Sequence, residues 1–177
     1  MKFLNVYSIN YIGDYILEAL LVPKERIGVL KDKEVKENIE KVLDVKLSFK
    51  ENLVEIDGEG LNLYRAKDVV KAIGRGFAPD KAFRLFDEEE VLEIIDLGGH
   101  TDKKIRTIKA RLIGTKGKTR KKIEYFSRCS LSIYGDTVCL IGKHNQIKVA
   151  EEAVKRIIRG SKHTKVYSYL QDAKIDE

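Results

Sequence analysis

Residues 111–124 read RLIGTKGKTRKKIE, in which two glycines flank a Thr-Lys pair directly before a run of basic residues. A helix is predicted after the second glycine, because Thr119, Ile123 and Phe126 are spaced for one apolar face. Glycine places no Cβ in the path of a ligand, and the unpaired N–H groups at a helix start attract anions. The stretch therefore predicts a phosphate-binding loop and leaves open whether the phosphate belongs to a nucleotide or to a nucleic acid.

A nucleotide-binding P-loop is disfavoured by a single residue. Its pattern, GxxxxGK[ST], would include the GKT at 117–119 only if position 112 were glycine, and that residue is Leu112. A plain helix-capping turn with solvated lysines is the other alternative. The charge distribution favours nucleic acid, since the net charge of the chain is +6 while residues 103–128 hold eleven Lys/Arg and one acid, Glu124.

The chain repeats itself at a constant distance of 84 residues. Residues 35–77 align without a gap on residues 119–161, so that Gly58 matches Gly142. Each copy predicts an amphipathic helix, two alternating strands and a longer closing helix. Two copies of one module are therefore expected.

A further strand is expected before the first helix of each copy. Residues 19–22 supply it in the first copy, and the alternating Ile, Ala and Leu at 108–112 supply it in the second. Residues 91–95 fit a helix or a strand equally well. The predicted organisation is an extension of undecided structure at 1–18, a first module at 19–77, a helical segment at 78–102 and a second module at 103–177.

These features resemble the type I KH domain, which clamps about four nucleotides with a GXXG loop between its first two helices. Over residues 22–171, stretches such as AIGRGFAPDKAFRLF, RLIGTKGKTRKKIE and RGSKHTKVYSYL are similar to those of archaeal two-KH-domain ribosome-assembly RNA-binding proteins. That family is the counterpart of the eukaryotic pre-rRNA processing factor called partner of Nob-one. The resemblance implies an α+β fold with two tandem type I KH domains, each a three-stranded antiparallel sheet covered by helices on one face.

The resemblance also implies a function. It predicts a protein without enzymatic activity or cofactor that binds single-stranded RNA near the 3′ end of 16S rRNA during small-subunit assembly. The implied protein partners are the endonuclease that processes this 3′ end and the α subunit of translation initiation factor two.

The resemblance places the RNA site in the second module. The loop backbone is expected to contact phosphates, basic side chains to add charge, and apolar side chains with one strand to line a groove under the bases. The candidates are Arg111, Leu112, Ile113, Gly114, Thr115, Lys116, Gly117, Lys118, Arg120, Lys121, Ile123, Ser132 and Ile133. Arg75 and Arg159 are candidates for RNA or interdomain contact, although a cation at a helix C-terminus explains them equally well.

The first copy lacks the loop. At the repeat distance, Gly114 and Gly117 correspond to Leu30 and Lys33, and Asp32 adds a negative charge. The first module is therefore expected to hold RNA poorly and to serve packing and protein contact. A KH-fold protein-protein scaffold with little RNA binding of its own is the alternative for the whole chain.

Other classes of protein find little support in the sequence. Cys129 and Cys139 form no CxxC pattern or His/Cys cluster, so we expect buried thiols and no metal site. The apolar N-terminus is interrupted by Asn10, Asp14 and Glu18, so neither a membrane span nor a signal peptide is predicted. We expect a soluble cytoplasmic protein with no membrane partner.

Overall fold

The computed structural model describes residues 6–12 and 15–174, which divide into two compact units. The first unit extends to Asp87 and the second begins at Glu88. The elements of the first unit are β1 (Val6–Ile12), β2 (Tyr15–Leu21), α1 (Lys24–Lys31), α2 (Lys33–Leu43), β3 (Lys46–Lys50), β4 (Leu53–Gly58), α3 (Gly60–Gly74) and α4 (Pro79–Ala82), followed by a 3₁₀ turn (Phe83–Phe86).

The sheet of the first unit has four antiparallel strands in the order β1-β2-β4-β3. Leu20 pairs with Val54 and Leu47 pairs with Ile56, and all four side chains are buried. Helix α3 packs on β2 and β4, and helix α2 packs on β3. The expected three-stranded sheet is thus extended by one strand.

The additional strand comes from the segment whose structure the sequence left undecided. Residues 6–12 form β1, and β2 begins at Tyr15 rather than at the predicted residue 19. Residues 1–5 and 13–14 of the predicted extension lie outside the described residues.

A buried ion pair links the sheet of the first unit to its longest helix. Glu18 on β2 is 4% exposed, and its Oε2 lies 2.5 Å from the Nζ of Lys67 on α3. Because both side chains are largely removed from water, the charge of each depends on the other for compensation.

The second unit contains β5 (Glu90–Asp96), α5 (Asp102–Ile113), a 3₁₀ turn (Thr115–Gly117), α6 (Lys118–Ser127), β6 (Ser130–Tyr134), β7 (Thr137–Lys143), α7 (His144–Ile158) and α8 (His163–Asp172). Its sheet has three antiparallel strands in the order β5-β7-β6. From β2 to α3 and from β5 to α7, both units follow the order strand, helix, helix, strand, strand, helix.

The strand predicted at 108–112 is wrong, because these residues lie in helix α5. Ile105, Ile108 and Leu112 are buried at spacings of three and four, which is the period of a helix, whereas Ala110 is exposed. The first strand of this unit is instead β5, which pairs with β7 along its whole length. Of the predicted helical segment at 78–102, only residues 79–86 are helical within an uninterrupted stretch, and the second unit starts before residue 103.

The repeat is visible in the packing of two matched glycines. A Cβ added to Gly58 would lie 2.7 Å from the Cγ1 of Val45, and one added to Gly142 would lie 2.7 Å from the Sγ of Cys129. The members of each pair are separated by the same repeat distance. Both units therefore use glycine at the end of a strand to admit the residue that precedes the neighbouring strand.

A matched glutamate ties the second helix of each unit to the following strand. The Oε1 of Glu40 accepts a hydrogen bond from the N–H of Leu47 at 2.7 Å, and the Oε1 of Glu124 accepts one from Leu131 at 3.0 Å. A carboxylate that accepts a backbone N–H at the start of an edge strand fixes the entry of the chain into the sheet.

Candidate nucleic-acid interface

Residues 114–117, the GTKG loop, connect helices α5 and α6 through a tight turn. Gly114 ends α5 by donating its N–H to Ala110 at 2.9 Å, and Gly117 donates its N–H to Gly114 at 3.1 Å. The backbone has a positive φ at Gly114 (69°), Lys116 (51°) and Gly117 (73°). This conformation turns the loop outward between the ends of two helices.

The two glycines of the loop are required for different reasons. A Cβ on Gly114 would lie 2.3 Å from the Oγ1 of Thr119 and 2.9 Å from its backbone nitrogen, so any larger residue collides with helix α6. A Cβ on Gly117 would meet nothing within 4 Å, and its constraint is the left-handed conformation alone. Gly114 thus shapes the loop and Gly117 keeps its outer surface low.

The N-terminus of α6 carries no protein anion. Its cap residue, Gly117, makes no side-chain capping bond, and the first turn contains no acidic residue. Four N–H groups at a helix start have no partner within the helix, and the helix dipole adds positive potential there. The start of α6 therefore favours an anionic ligand.

The corresponding helix of the first unit is capped from within. The carboxylate of Asp32 accepts hydrogen bonds from the N–H groups of Glu34 at 3.1 Å and Val35 at 3.3 Å, at the start of α2. The anion-binding position of the first unit is thus filled by the chain itself.

A groove of about 410 Å³ opens beside the GTKG loop. It is lined by Ile113, Gly117, Arg120, Lys121, Glu124 and Ile133. Five of these residues were predicted as a site from the sequence, and Glu124 was not. The side chain of Ile113 is 42% exposed, so the groove offers an apolar wall beside a basic one.

Glu124 positions a predicted cation. Its Oε1 accepts hydrogen bonds at 3.3 Å from the Nε and Nη2 of Arg120, one helical turn away, in addition to the backbone N–H of Leu131. The guanidinium is therefore held along the groove wall. No sequence signal marks Glu124 as part of the groove, because its role depends on the strand that it contacts.

Thr115, Lys116, Lys118 and Lys121 are exposed around the groove, as predicted. No acidic side chain within residues 15–174 forms an ion pair with any of these three lysines. The loop and the first turns of α6 thus present net positive charge to solvent.

Two predicted contact residues lie in the core instead. Leu112 and Ile123 are fully buried in the hydrophobic cluster of the second unit, so they support the groove from below and cannot contact a ligand. The side chain of Ser132 is also nearly inaccessible, at 6% exposure. Its strand, β6, forms one edge of the sheet, so contact between the β6 backbone and a base stays a prediction.

Arg111 was predicted to flank the RNA track, and the structure assigns it another task. Its guanidinium donates to the carbonyl of Ile157 at 2.7 Å and to that of Ser161, where helix α7 ends. In the first unit, Arg26 donates to the carbonyls 84 residues earlier in the chain, at 2.9 and 2.6 Å. This arginine therefore belongs to the frame of both units, and the prediction of an RNA contact for its side chain is wrong.

Arg75 and Arg159 occupy matching positions directly after helices α3 and α7. Arg159 is exposed and Arg75 is half-buried. A cation at this position complements the helix dipole, as the sequence already indicated. Contact of either residue with RNA stays a prediction.

Helix α8 supports the loop through residues that the sequence did not single out. The hydroxyl of Tyr167 lies 2.8 Å from the Oγ1 of Thr119, and the Nζ of Lys122 lies 4.4 Å above the Tyr167 ring. Thr119 is the residue against which Gly114 packs. The Thr119–Tyr167 contact joins positions 48 residues apart, so no local pattern could reveal it.

Other kinds of site find no residues in the described part of the chain. No group of three His, Cys, Asp or Glu side chains there is arranged to hold a metal ion. Cys129 and Cys139 are buried free thiols. Within the same residues, no helix has the length and apolar character that crossing a bilayer requires.

Comparison with known proteins identifies relatives of the chain and of its second unit. Residues 91–175 match the model of the second KH domain of Pno1, described as a eukaryotic type KH domain of type I. A KH domain-containing protein of Methanocaldococcus jannaschii is 42% identical over 175 residues, covering 89% of this chain and 74% of that protein. The pre-rRNA-processing protein pno1 of Aspergillus fumigatus is 30% identical over 143 residues, covering 73% of this chain and 55% of the fungal protein.

Solved structures agree with these sequence matches. The crystal structure of Dim2p from Pyrococcus horikoshii superimposes with a TM-score of 0.81 at 41% identity, covering 88% of this chain and 98% of that one. The complex of a/eIF2alpha, aDim2p and rRNA from the same organism contains a chain that matches with a TM-score of 0.84 at 40% identity, covering 90% of this chain and 94% of that one.

Proposed function

The chain belongs to the Pno1/Dim2 family of KH-domain proteins, and we propose that it is a small-subunit ribosome assembly factor that binds single-stranded RNA near the 3′ end of 16S rRNA. The observation that carries this proposal is the GTKG loop, with the uncapped start of α6 and the basic groove beside it. The relatives support the RNA class, since one is named a pre-rRNA-processing protein and another is found in a complex with rRNA.

The loop holds the RNA backbone. Phosphates contact the backbone of residues 114–117 and the start of α6, where the N–H groups need acceptors. Lys116, Lys118 and Lys121 add mobile positive charge, while Arg120 is oriented by Glu124. Bases occupy the groove between Ile113 and Ile133 and reach the backbone of the edge strand β6.

We further propose that the first unit is a second type I KH domain that does not clamp RNA. Its element order supports this assignment, because it has the same order as the second unit. Asp32 occupies the start of α2, and its negative charge repels phosphate from the place where the second unit attracts it. Packing and protein contact are the roles left to this unit.

The protein partners and location are inferred from the family. The aDim2p of the solved complex is bound with a/eIF2alpha and rRNA. We propose that this chain works in the cytoplasm with the α subunit of translation initiation factor two and with the endonuclease that processes the 16S 3′ end. It acts by binding, without enzymatic activity of its own.

The test replaces the loop residues Thr115 and Lys116 together by aspartate. Aspartate tolerates the left-handed backbone of Lys116, so the fold is retained while two negative charges enter the phosphate site. The matched control is Asn145→Asp with Lys148→Asp, which makes the same change at exposed positions of α7. Binding to an RNA from the 3′ end of 16S rRNA is measured by fluorescence anisotropy.

We expect the loop variant to lose about tenfold or more in affinity, because a hydrogen bond to a charged group contributes about 1.5–3 kcal/mol. For the unmodified protein, four phosphate contacts give a slope of about −2.8 in log affinity against log salt. Equal affinities of the loop and control variants would refute the clamp. Absence of binding by the unmodified chain would instead favour the protein-protein scaffold, to which the capped first unit already conforms.

A further inference from the structure

Helix α5 carries an exposed basic strip that leads to the GTKG loop. Lys103, Arg106, Thr107 and Ala110 are exposed and lie at spacings of three, four and seven, which places them on one face. We call these four residues the α5 strip. The face continues to the exposed Ile113, which lines the groove. From its first residue to the loop, the strip is about 16 Å long at 1.5 Å per residue.

The cations of α5 fall into two groups. Lys109 donates to the carbonyl of Gly135 at 2.9 Å, and Arg111 donates to two carbonyls beyond α7, so both serve the fold. Within residues 15–174, Lys103 and Arg106 have neither an ion pair nor a side-chain hydrogen bond. The strip therefore holds the cations of this helix that the fold does not use.

The position of these cations opposes the helix dipole. Lys103 and Arg106 lie in the first two turns of α5, at the positive end of the helix, where acidic side chains are stabilising and basic ones are not. Helix α7 shows the usual compensation, since its Lys155 pairs with Glu151 and its Arg156 with Glu152. The arrangement on α5 is thus unfavourable for the isolated helix and favourable for an external anion.

The character of the strip selects the class of ligand. Protein interfaces bury aromatic and apolar anchors at their centre and are depleted in lysine. The α5 strip offers two cations, a hydroxyl and a small Ala110, with no large apolar side chain before Ile113. A flexible chain of phosphates leaving the loop would meet charge along its path and no bulky side chain.

We propose that the α5 strip is a second RNA-binding surface, which holds the phosphates of single-stranded RNA that extends beyond the nucleotides in the GTKG groove. Lys103 and Arg106 contact two of these phosphates, and the exposed Ala110 leaves the path between them and the loop open. This inference rests on the proposed RNA clamp and enlarges its footprint from one loop to a whole helix.

The experiment compares RNA lengths. Three probes from the 3′ end of 16S rRNA are used: a core of about five nucleotides that fills the groove, and the same core extended by about five nucleotides at its 5′ or its 3′ end. The variant is Lys103→Gln with Arg106→Gln. The control is Lys41→Gln with Lys148→Gln, which removes two exposed lysine charges from α2 and α7.

We expect the unmodified protein to bind one extended RNA more tightly than the core. Two additional contacts steepen the salt slope by about 1.4, so that this advantage shrinks about sevenfold between 50 and 200 mM salt. The strip variant should lose the advantage and the steeper slope while binding the core as before, and the control should keep both.

Two results overturn the inference. Unchanged binding of both extended RNAs by the strip variant removes the strip from the interface, and an equal loss in the control assigns the effect to net charge. These results differ from failure of the clamp itself, in which the unmodified protein binds neither the core nor the extended RNAs.

Discussion

Replacing Gly114 by alanine is expected to destabilise the second unit by about 3 kcal/mol. The backbone there has φ 69° and ψ 175°, a region that is almost restricted to glycine, and a residue forced into such a region costs about 1–3 kcal/mol. The new Cβ would also approach the Oγ1 of Thr119 to 2.3 Å. Thr119 cannot move away cheaply, because its hydroxyl is bonded to Tyr167 and its nitrogen belongs to helix α6.

The control is Gly117→Ala in the same loop. Its φ of 73° is also left-handed, but no atom lies within 4 Å of the added Cβ, so the cost is the conformational one of about 1 kcal/mol. For a domain of this size, each kcal/mol lowers the melting temperature by about 4–8 °C. Gly114→Ala should therefore lower it by about 12–24 °C and Gly117→Ala by about 4–8 °C.

Thermal unfolding is followed by circular dichroism, and hydrogen exchange assigns the loss to the second unit. Protection should fall in α5 and β7 of the Gly114 variant, while β4 of the first unit stays unchanged. Similar destabilisation by both variants would contradict the reasoning, since it would mean that the contact between Gly114 and Thr119 imposes no constraint.

Two further substitutions test the frames of the units by urea denaturation. Gly142→Ala should cost about 1–3 kcal/mol, because its Cβ would lie 2.7 Å from the Sγ of Cys129. Adding Cys129→Ala should recover part of that loss, and strictly additive effects would refute the contact. Lys67→Met should cost about 3 kcal/mol, because it leaves the carboxylate of Glu18 buried without its partner. Adding Glu18→Met should restore most of the stability, and a double variant weaker than the single one would contradict this account.

The repeat made much of the fold predictable. Helices α2 and α3 and strands β3 and β4 lie where the first copy predicted them, because each copy provides the same apolar period twice. Residues 108–112 misled the prediction, since an alternation over five residues is also compatible with one and a half turns of helix. Ile105 resolves the ambiguity by adding a buried position three residues earlier.

The candidate site was predictable where its chemistry lies in adjacent residues. The glycine spacing and basic run locate the loop and four exposed residues around it. Burial was not predictable from the same stretch, so Leu112 and Ile123 were placed in the groove although they lie beneath it. Partners distant in sequence were also inaccessible, which is why the carbonyls held by Arg111 and the hydroxyl supplied by Tyr167 came only from the structure.

Asp32 makes the start of helix α2 an anion site that is occupied permanently. A carboxylate tethered one or two residues from its donors acts at a high effective concentration, with which a phosphate in solution competes poorly. Polyanions such as heparin should therefore compete with RNA for the second unit and leave the first unit unaffected. A single acidic side chain gives two related units opposite responses to the same ligand charge, without any change in the order of their helices and strands.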